Sequence, residues 1–234
     1  MKKYVIFSDF HAGDNSAADN FGVSHWNTVK EYIDYYINNG YIVILNGDIL
    51  EGLQFKYSVI AKKYPGLIEL LRKPYVVVVR GNHDEDALKK LGIFFVKEFT
   101  IDKTLLVYHG DVYDHPMNTK IVSLALHIYR WFECGIAFVL GKDMPNKIAD
   151  TPITPTDPRY KGNKSEYIQG AKNRGIEENF KVVVLGHTHE PGSFDYANVK
   201  VLNSGTCQCN HCMCVTVEIY DNGDINSELN VVRG

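Results

Sequence analysis

Five short apolar runs rich in β-branched residues constrain this chain more than any other feature. They are Val5-Ile6-Phe7, Ile42-Val43-Ile44-Leu45, Val76-Val77-Val78-Val79, Leu105-Leu106-Val107 and Val182-Val183-Val184-Leu185. None alternates apolar with polar residues, so each suits a strand covered on both faces. Helical patterns lie between several of them. Trp26, Val29, Ile33 and Ile37 recur at helical spacing behind Ser24, read as an N-cap, and Asn39-Gly40 stops that helix. Leu67, Ile68, Leu70 and Leu71 mark a second helix, entered through Pro65-Gly66, and Tyr167, Ile168, Ala171 and Ile176 a third. Strands that alternate with helices predict an α/β fold.

The residues at the end of each strand point to chemistry. The five runs lead into Ser8-Asp9-Phe10-His11, Asn46-Gly47-Asp48, Arg80-Gly81-Asn82-His83-Asp84, Tyr108-His109-Gly110-Asp111 and Gly186-His187-Thr188-His189. In open α/β sheets, sites form beyond the carboxyl ends of strands. Five such ends would bring Asp9, His11, Asp48, Asn82, His109, His187 and His189 to one place. Carboxylate, amide oxygen and imidazole, with no thiolate, suit Mn, Fe, Zn or a mixed pair rather than soft copper. Seven ligands are too many for one ion and about right for two that share a carboxylate. A single His-x-His is more often a surface feature; the ordered set of five strand ends is what carries weight.

Composition narrows the class. The chain has 234 residues, 45% of them hydrophobic, which is enough for one domain with a sizeable core. Acids outnumber bases 28 to 25, for a net charge of −3, so no specific nucleic-acid partner is expected. The apolar run after Lys2 and Lys3 meets Asp9 too soon to be a signal-peptide core, and the expected location is cytoplasmic. The stretch Ile121–Leu140 is long enough to span a bilayer, but His127, Arg130 and Glu133 interrupt it. It is read as a helix that is buried or lies on a membrane, which leaves peripheral membrane contact open. Residues 141–163 contain four prolines and read as a loop.

The C-terminal third changes character. Val199–Asn203, Cys207–Cys209, Cys212–Ile219 and Ile225–Val232 read as short strands, with Asn222-Gly223 a hairpin turn. Four of the five cysteines crowd into Cys207, Cys209, Cys212 and Cys214. With Asn210-His211 as a two-residue turn, Cys209 faces Cys212, Cys207 faces Cys214, and all four share one face. That leaves open a structural Zn²⁺ site, two cross-strand disulfides, or reduced cysteines used as small apolar residues.

Taken together, Asp9-x-His11, Gly47-Asp48, Gly81-Asn82-His83-Asp84, His109-Gly110-Asp111 and Gly186-His187-Thr188-His189 resemble the signature of the calcineurin-like metallophosphoesterases. The resemblance implies two packed mixed β-sheets flanked by helices, an αββα sandwich, with two divalent metals (Mn²⁺, Fe²⁺/Fe³⁺ or Zn²⁺) at one edge. It implies that Asp9, His11 and His189 hold the first metal, that Asn82, His109 and His187 hold the second, and that Asp48 bridges them. A hydroxide shared by the metals would attack phosphorus. His83 would contact the phosphate and protonate the leaving group, with Asp84 orienting it. Asp111 and Asp114 are candidate outer partners of the site.

The segment after His109 is similar in layout to the UDP-2,3-diacylglucosamine pyrophosphohydrolase-like branch. That similarity implies a helical lid near 118–140 that, with the Pro-rich loop, fills an insertion at 118–163 within a single domain spanning 1–234. Arg130, Lys164 and Arg174 are candidates for a second phosphate, and Arg80 is a candidate for substrate binding. The substrate would then be a lipid-linked diphosphate. Several enzymes of that branch carry Arg where this chain has His83, so a nucleotide or other phosphorylated small molecule stays open. A reading from a different class is a catalytically silent metal-binding scaffold for protein partners. Silent members usually lose ligands or the His of the Asn-His motif, and this chain has all of them.

Overall fold

In the computed structural model, residues 1–114, 128, 162–208 and 211–232 are described. The first sheet contains β1 (Lys2–Phe7), β2 (Ile42–Asn46), β3 (Val76–Val79), β9 (Cys212–Ile219) and β10 (Ile225–Val232), in the order β10-β9-β1-β2-β3. The second contains β4 (Glu98–Ile101), β5 (Leu105–Tyr108), β6 (Val182–Leu185), β7 (Gly192–Asp195) and β8 (Lys200–Asn203), in the order β4-β5-β6-β8-β7. Both are mixed. β1, β2 and β3 run parallel, as do β5, β6 and β8, while β9, β10, β4 and β7 join antiparallel. All five strands expected from the apolar runs are present.

Three apolar layers explain why those runs do not alternate. Tyr4, Ile6 and Ile44 of the first sheet meet Leu105, Val107, Val182 and Val184 of the second between the sheets. Val5, Phe7, Val43 and Leu45 face the other way, onto α1 (Val23–Asn38), α2 (Tyr57–Lys63) and α3 (Pro65–Leu70). Leu106, Val183 and Leu185 face α5 (Glu166–Glu177), which supplies Ile168 and Ala171. A strand with apolar layers on both sides has no polar face to show. At about 25 cal/mol per Å² of apolar surface, this double burial is the main stabilising term. The two sheets flanked by helices are the expected αββα sandwich.

Some local expectations need correction. Ser24 is not the cap of α1: the helix begins at Val23, whose N–H donates to Asn15 Oδ1 at 3.0 Å. The cap therefore comes from a loop residue eight positions back, beyond the reach of a local motif. β4, β7, α2 and α4 (Glu85–Lys90) are additional elements. They are short and lack a clear period, so tertiary contacts decide them. Cys207 lies outside any strand. The hairpin between β9 and β10 turns at Asn222-Gly223 as expected, with Ile219 opposite Ile225 and Gly223 at φ 87°.

The expected lid and Pro-rich loop, and Arg130, lie outside the described residues, and Ile128 is exposed. Among the described residues, no helix is long and apolar enough to cross a membrane.

Candidate metal centre

Three of the five strand ends deliver their side chains through an unusual backbone. Asp9, His11, Asp48, His187 and His189 all have positive φ, at 56°, 48°, 53°, 68° and 56°. Non-glycine residues in that region cost on the order of 1–3 kcal/mol each and persist where the surroundings hold them. Here hydrogen bonds between neighbouring loops do so. Asp9 N donates to Gly47 O at 3.1 Å, His11 N to Asp48 O at 2.8 Å, and Gly186 N to His109 O at 2.9 Å. The loops beyond β1 and β2 thus stay paired after the strands end.

The seam between the sheets is closed at the same place. Asn46 Nδ2 donates to Tyr108 O at 3.1 Å, and His109 Nδ1 donates to Asn46 O at 2.9 Å. The His187 amide donates to Asp9 Oδ2 at 3.0 Å, and the His83 amide to Asp48 Oδ1 at 2.9 Å. Asp9 and His109 are therefore each fixed by backbone from the other sheet, and Asp48 by backbone from the neighbouring loop of its own sheet. The adjoining glycines leave room for these contacts. A Cβ on Gly81 would sit 2.0 Å from Asp48 Oδ1, and one on Gly186 would sit 2.6 Å from Asp9 Oδ2.

Three sets of side chains converge. Asp9, His11 and His189 form one, with His189 Nε2 3.3 Å from Asp9 Oδ1 and 3.2 Å from His11 Nε2. Asp48, His109 and His187 form the second, with His109 Nε2 3.1 Å from Asp48 Oδ2 and 3.3 Å from His187 Nδ1. Asp48 Oδ2 also lies 3.7 Å from His11 Nε2, so it stands between the two groups. His11, Glu51 and His83 form the third set. Asn82 follows Gly81 on the loop that supports Asp48.

Two buried oxygens test whether this donor set fits a cation. Asp9 Oδ1 and Asn82 Oδ1 are buried and accept no hydrogen bond. Such an atom costs about 1–3 kcal/mol unless something positive satisfies it. Oxygen and imidazole donors are what a hard or borderline divalent ion takes, so these residues fit the metals implied for them. Electrostatics agree. Burial alone would lower His109, but Asp48 and Asp9 outweigh it and hold the imidazole up at about 10. Burial alone would raise Asp48, but His109 and His83 hold it well below the usual carboxylate range. The carboxylates thus create a negative potential for which protons and metal ions compete.

The partner of His83 differs from expectation. Asp84 does not orient it. Asp84 is buried, and its two oxygens accept from the amides of Gly81 and Ile49, each at 2.8 Å, which staples the His83 loop to the Asp48 loop. Burial first, and Asp48 second, push its carboxyl up to about 7. Glu51 is the partner instead. His83 Nδ1 lies 2.8 Å from both Glu51 oxygens, and His11 Nδ1 lies 2.7 Å from Oε2. Burial works against both charges, but the pairing outweighs it: His83 rises to about 9, and Glu51 falls to about 2. The signal for Glu51 was a lone carboxylate three residues after Asp48, in the otherwise apolar Ile49-Leu50-Glu51.

Other candidates fall outside the cluster. The Arg80 guanidinium pairs with Asp111 and lies 3.7 Å from Glu85, so two carboxylates already compensate its charge. Arg174 pairs with Glu98 and Glu178. Lys164 is exposed and ends a short turn (Gly162–Lys164) before α5. Asp114 does reach the cluster, through His187 Nε2 at 2.9 Å.

Of the readings left open for the cysteines, a zinc site finds no support among the described residues. His211 N donates to Gln208 O, a pairing one residue earlier than an Asn210-His211 turn would give. The shift brings Cys207 opposite Cys212, and these two are joined by a disulfide. Cys214 is buried and 3.6 Å from Tyr36 Oη, with its thiol pushed up to about 11 by burial. Cys209 lies outside the described residues. Cys207, Cys212 and Cys214 do line one apolar face, as expected, and they help to fill the layer beneath α1.

Fold and site together define a metal-dependent phosphoric ester hydrolase. The calcineurin-like phosphoesterase family matches residues 2–191, and the chain belongs to that family. No curated protein matches it. Among solved structures, it is similar to a putative 5′-nucleotidase from Staphylococcus aureus, with 16% identity, a TM-score of 0.51 and coverage of 99% of this chain. This chain covers 54% of that one, so it spans about half the length of that protein. It is similar to the phosphoesterase Yfce of E. coli, with 16% identity, a TM-score of 0.45 and coverage of 99% and 100% of the two chains. A mutant Vps29 from Entamoeba histolytica shows 16% identity and a TM-score of 0.45, over 98% of each chain.

Proposed function

We propose that this chain hydrolyses a phosphoester or diphosphate with two divalent cations held by Asp9, His11, Asp48, Asn82, His109, His187 and His189. One observation carries this reading. Imidazoles and carboxylates from both sheets converge in sets that include Asp9, whose buried Oδ1 accepts no hydrogen bond, and Asn82 Oδ1 on the loop that supports Asp48 is likewise buried and without one. When bound, two such ions polarise the phosphoryl oxygens and acidify a shared water.

The residues of the chain then have distinct tasks. Asp9, His11 and His189 hold one cation; Asn82, His109 and His187 hold the other; Asp48 belongs to both. His83, cationic because Asp48 and Glu51 hold its proton, binds a phosphoryl oxygen and protonates the leaving oxygen. Glu51 accepts from Nδ1, so Nε2–H is the proton to be given. Asp84 keeps the loops of His83 and Asp48 in register.

The finer reading is that the substrate is a nucleotide diphosphate or a UDP-sugar-lipid-like diphosphate, and that Mn²⁺ supports turnover. The support is the apolar sequence of Ile121–Leu140, which begins seven residues after Asp114. With it go a single domain carrying that segment as an insertion, a cytoplasmic location and contact with a membrane surface. Liposome flotation of wild type against Trp131→Asp tests the last: equal flotation overturns it.

The central test is hydrolysis of a chromogenic phosphodiester with added Mn²⁺. Asp48→Ala is expected to lower kcat/KM by at least 100-fold. Activity untouched by that change overturns the reading and favours a silent scaffold.

A further inference from the structure

We propose that Asp114, held in place by Tyr167, is a positioning residue that decides which nitrogen of His187 faces the second cation. The inference rests on the two-cation reading above. His187 has two kinds of neighbour. Its Nδ1 lies 3.3 Å from His109 Nε2, within the set completed by Asp48. Its Nε2 lies 2.9 Å from Asp114 Oδ1. A neutral imidazole that gives one lone pair to a metal carries its proton on the other nitrogen. An ionised carboxylate only accepts, so Asp114 selects the form with the proton on Nε2. The Nδ1 lone pair is then turned toward His109 and Asp48.

Asp114 is itself supported. The Tyr167 hydroxyl donates to the same Oδ1 at 2.5 Å. The Tyr167 ring lies 5.5 Å from the His187 ring and 6.0 Å from the Tyr113 ring. Tyr113 Oη in turn lies 2.7 Å from Tyr108 Oη, at the end of β5. A half-exposed carboxylate would otherwise lose rotamer freedom to make this contact; the tyrosine shares that cost. His11 and His109 have equivalent supports, in Glu51 and in the Asn46 carbonyl. Asp114 and Tyr167 differ in coming from the two sides of residues 115–161 in sequence. The second half of the site is thereby tied to the chain that enters and leaves that segment.

The test titrates metal-free wild type, Asp114→Ala, Asp114→Asn and Tyr167→Phe with Mn²⁺ by chelator competition, with kcat and KM measured alongside. Wild type is expected to bind in two steps. Asp114→Ala should weaken one step by about 10- to 100-fold and leave the other alone, which is the usual cost of losing an outer partner. Asp114→Asn keeps an accepting oxygen and should fall between wild type and Asp114→Ala, and Tyr167→Phe should lose only a few-fold. Excess Mn²⁺ should restore much of the lost kcat. Two unchanged steps in Asp114→Ala overturn the proposal and leave the two-cation reading intact. Equal weakening of both steps with a lowered Tm overturns it as well, since that marks collapse rather than positioning. Fewer than two steps in wild type overturn the two-cation reading itself.

Discussion

Glu51 shows how much one buried carboxylate can organise. It joins His11, a predicted ligand, to His83, the predicted proton donor. Its own pKa and that of His83 move in opposite directions, and both shifts have consequences for folding. Glu51 falls from 4.5 to about 2, so its contribution is present above pH 4.5 and is lost as pH drops toward 2. His83 rises from 6.5 to about 9, so its contribution is complete below pH 6.5 and is lost as pH climbs through 9. In chelator-treated protein, the stability gap between wild type and Glu51→Gln should be largest near pH 5–6 and shrink by pH 9. Urea unfolding at the two pH values reads this directly; a gap that grows with pH would contradict the pairing. The same variant should lose about 10- to 100-fold in kcat, because His83 is no longer oriented. Cys214 offers an alkaline counterpart. Its thiol shifts from 9.0 to about 11, so the unfolded chain ionises first and stability falls between those values. Cys214→Ala should flatten that fall, as a urea series from pH 8 to 11 would reveal.

Among the elements, the informative parts are the turns beyond the strands. The strand-end glycines allow close approach of the loops, not only sharp turning. Gly81 is the tightest case, since a methyl there meets Asp48 itself. Gly81→Ala should cost about 1–3 kcal/mol in urea unfolding, as overpacking does. It should also depress activity by at least 10-fold by moving Asp48. Full activity in a stable Gly81→Ala protein would refute this account of the loop. The cysteine pairing teaches the opposite lesson. A one-residue shift in pairing exchanged Cys214 for Cys212 as the partner of Cys207, because such a shift changes which residues face each other.

The whole molecule is two sheets meeting at a charged edge. His109, fixed by Asn46, and Asp9, fixed by the His187 amide, each connect one sheet to the other. A cation bound by Asp9, His11 and His189 would draw on both sheets, so metal should act as a clamp on the fold. With metal at about 100 times its Kd, the linkage is worth about 2.7 kcal/mol. For a chain of this size, that corresponds to about 5–10 °C in Tm. EDTA should therefore lower the Tm of wild type by that amount and barely move that of Asp48→Ala. Calorimetry with and without chelator measures both, and a wild-type Tm indifferent to EDTA would count against the clamp.

The sequence by itself determined the two-sided strands, the α/β alternation and the set of strand-end ligands. Non-alternating apolar runs have only one way to be buried, and ligand types are legible wherever a strand stops. It also carried the β9–β10 hairpin, because Asn222-Gly223 is a local signal. Only the tertiary structure decided that Glu51 rather than Asp84 holds His83, that Asn15 caps α1, and that Cys207 pairs with Cys212. Each of these depends on a contact between segments far apart in the chain or on a one-residue shift in pairing. Local spacing cannot encode such choices, because their energies arise only when the loops beyond the strands fold against one another.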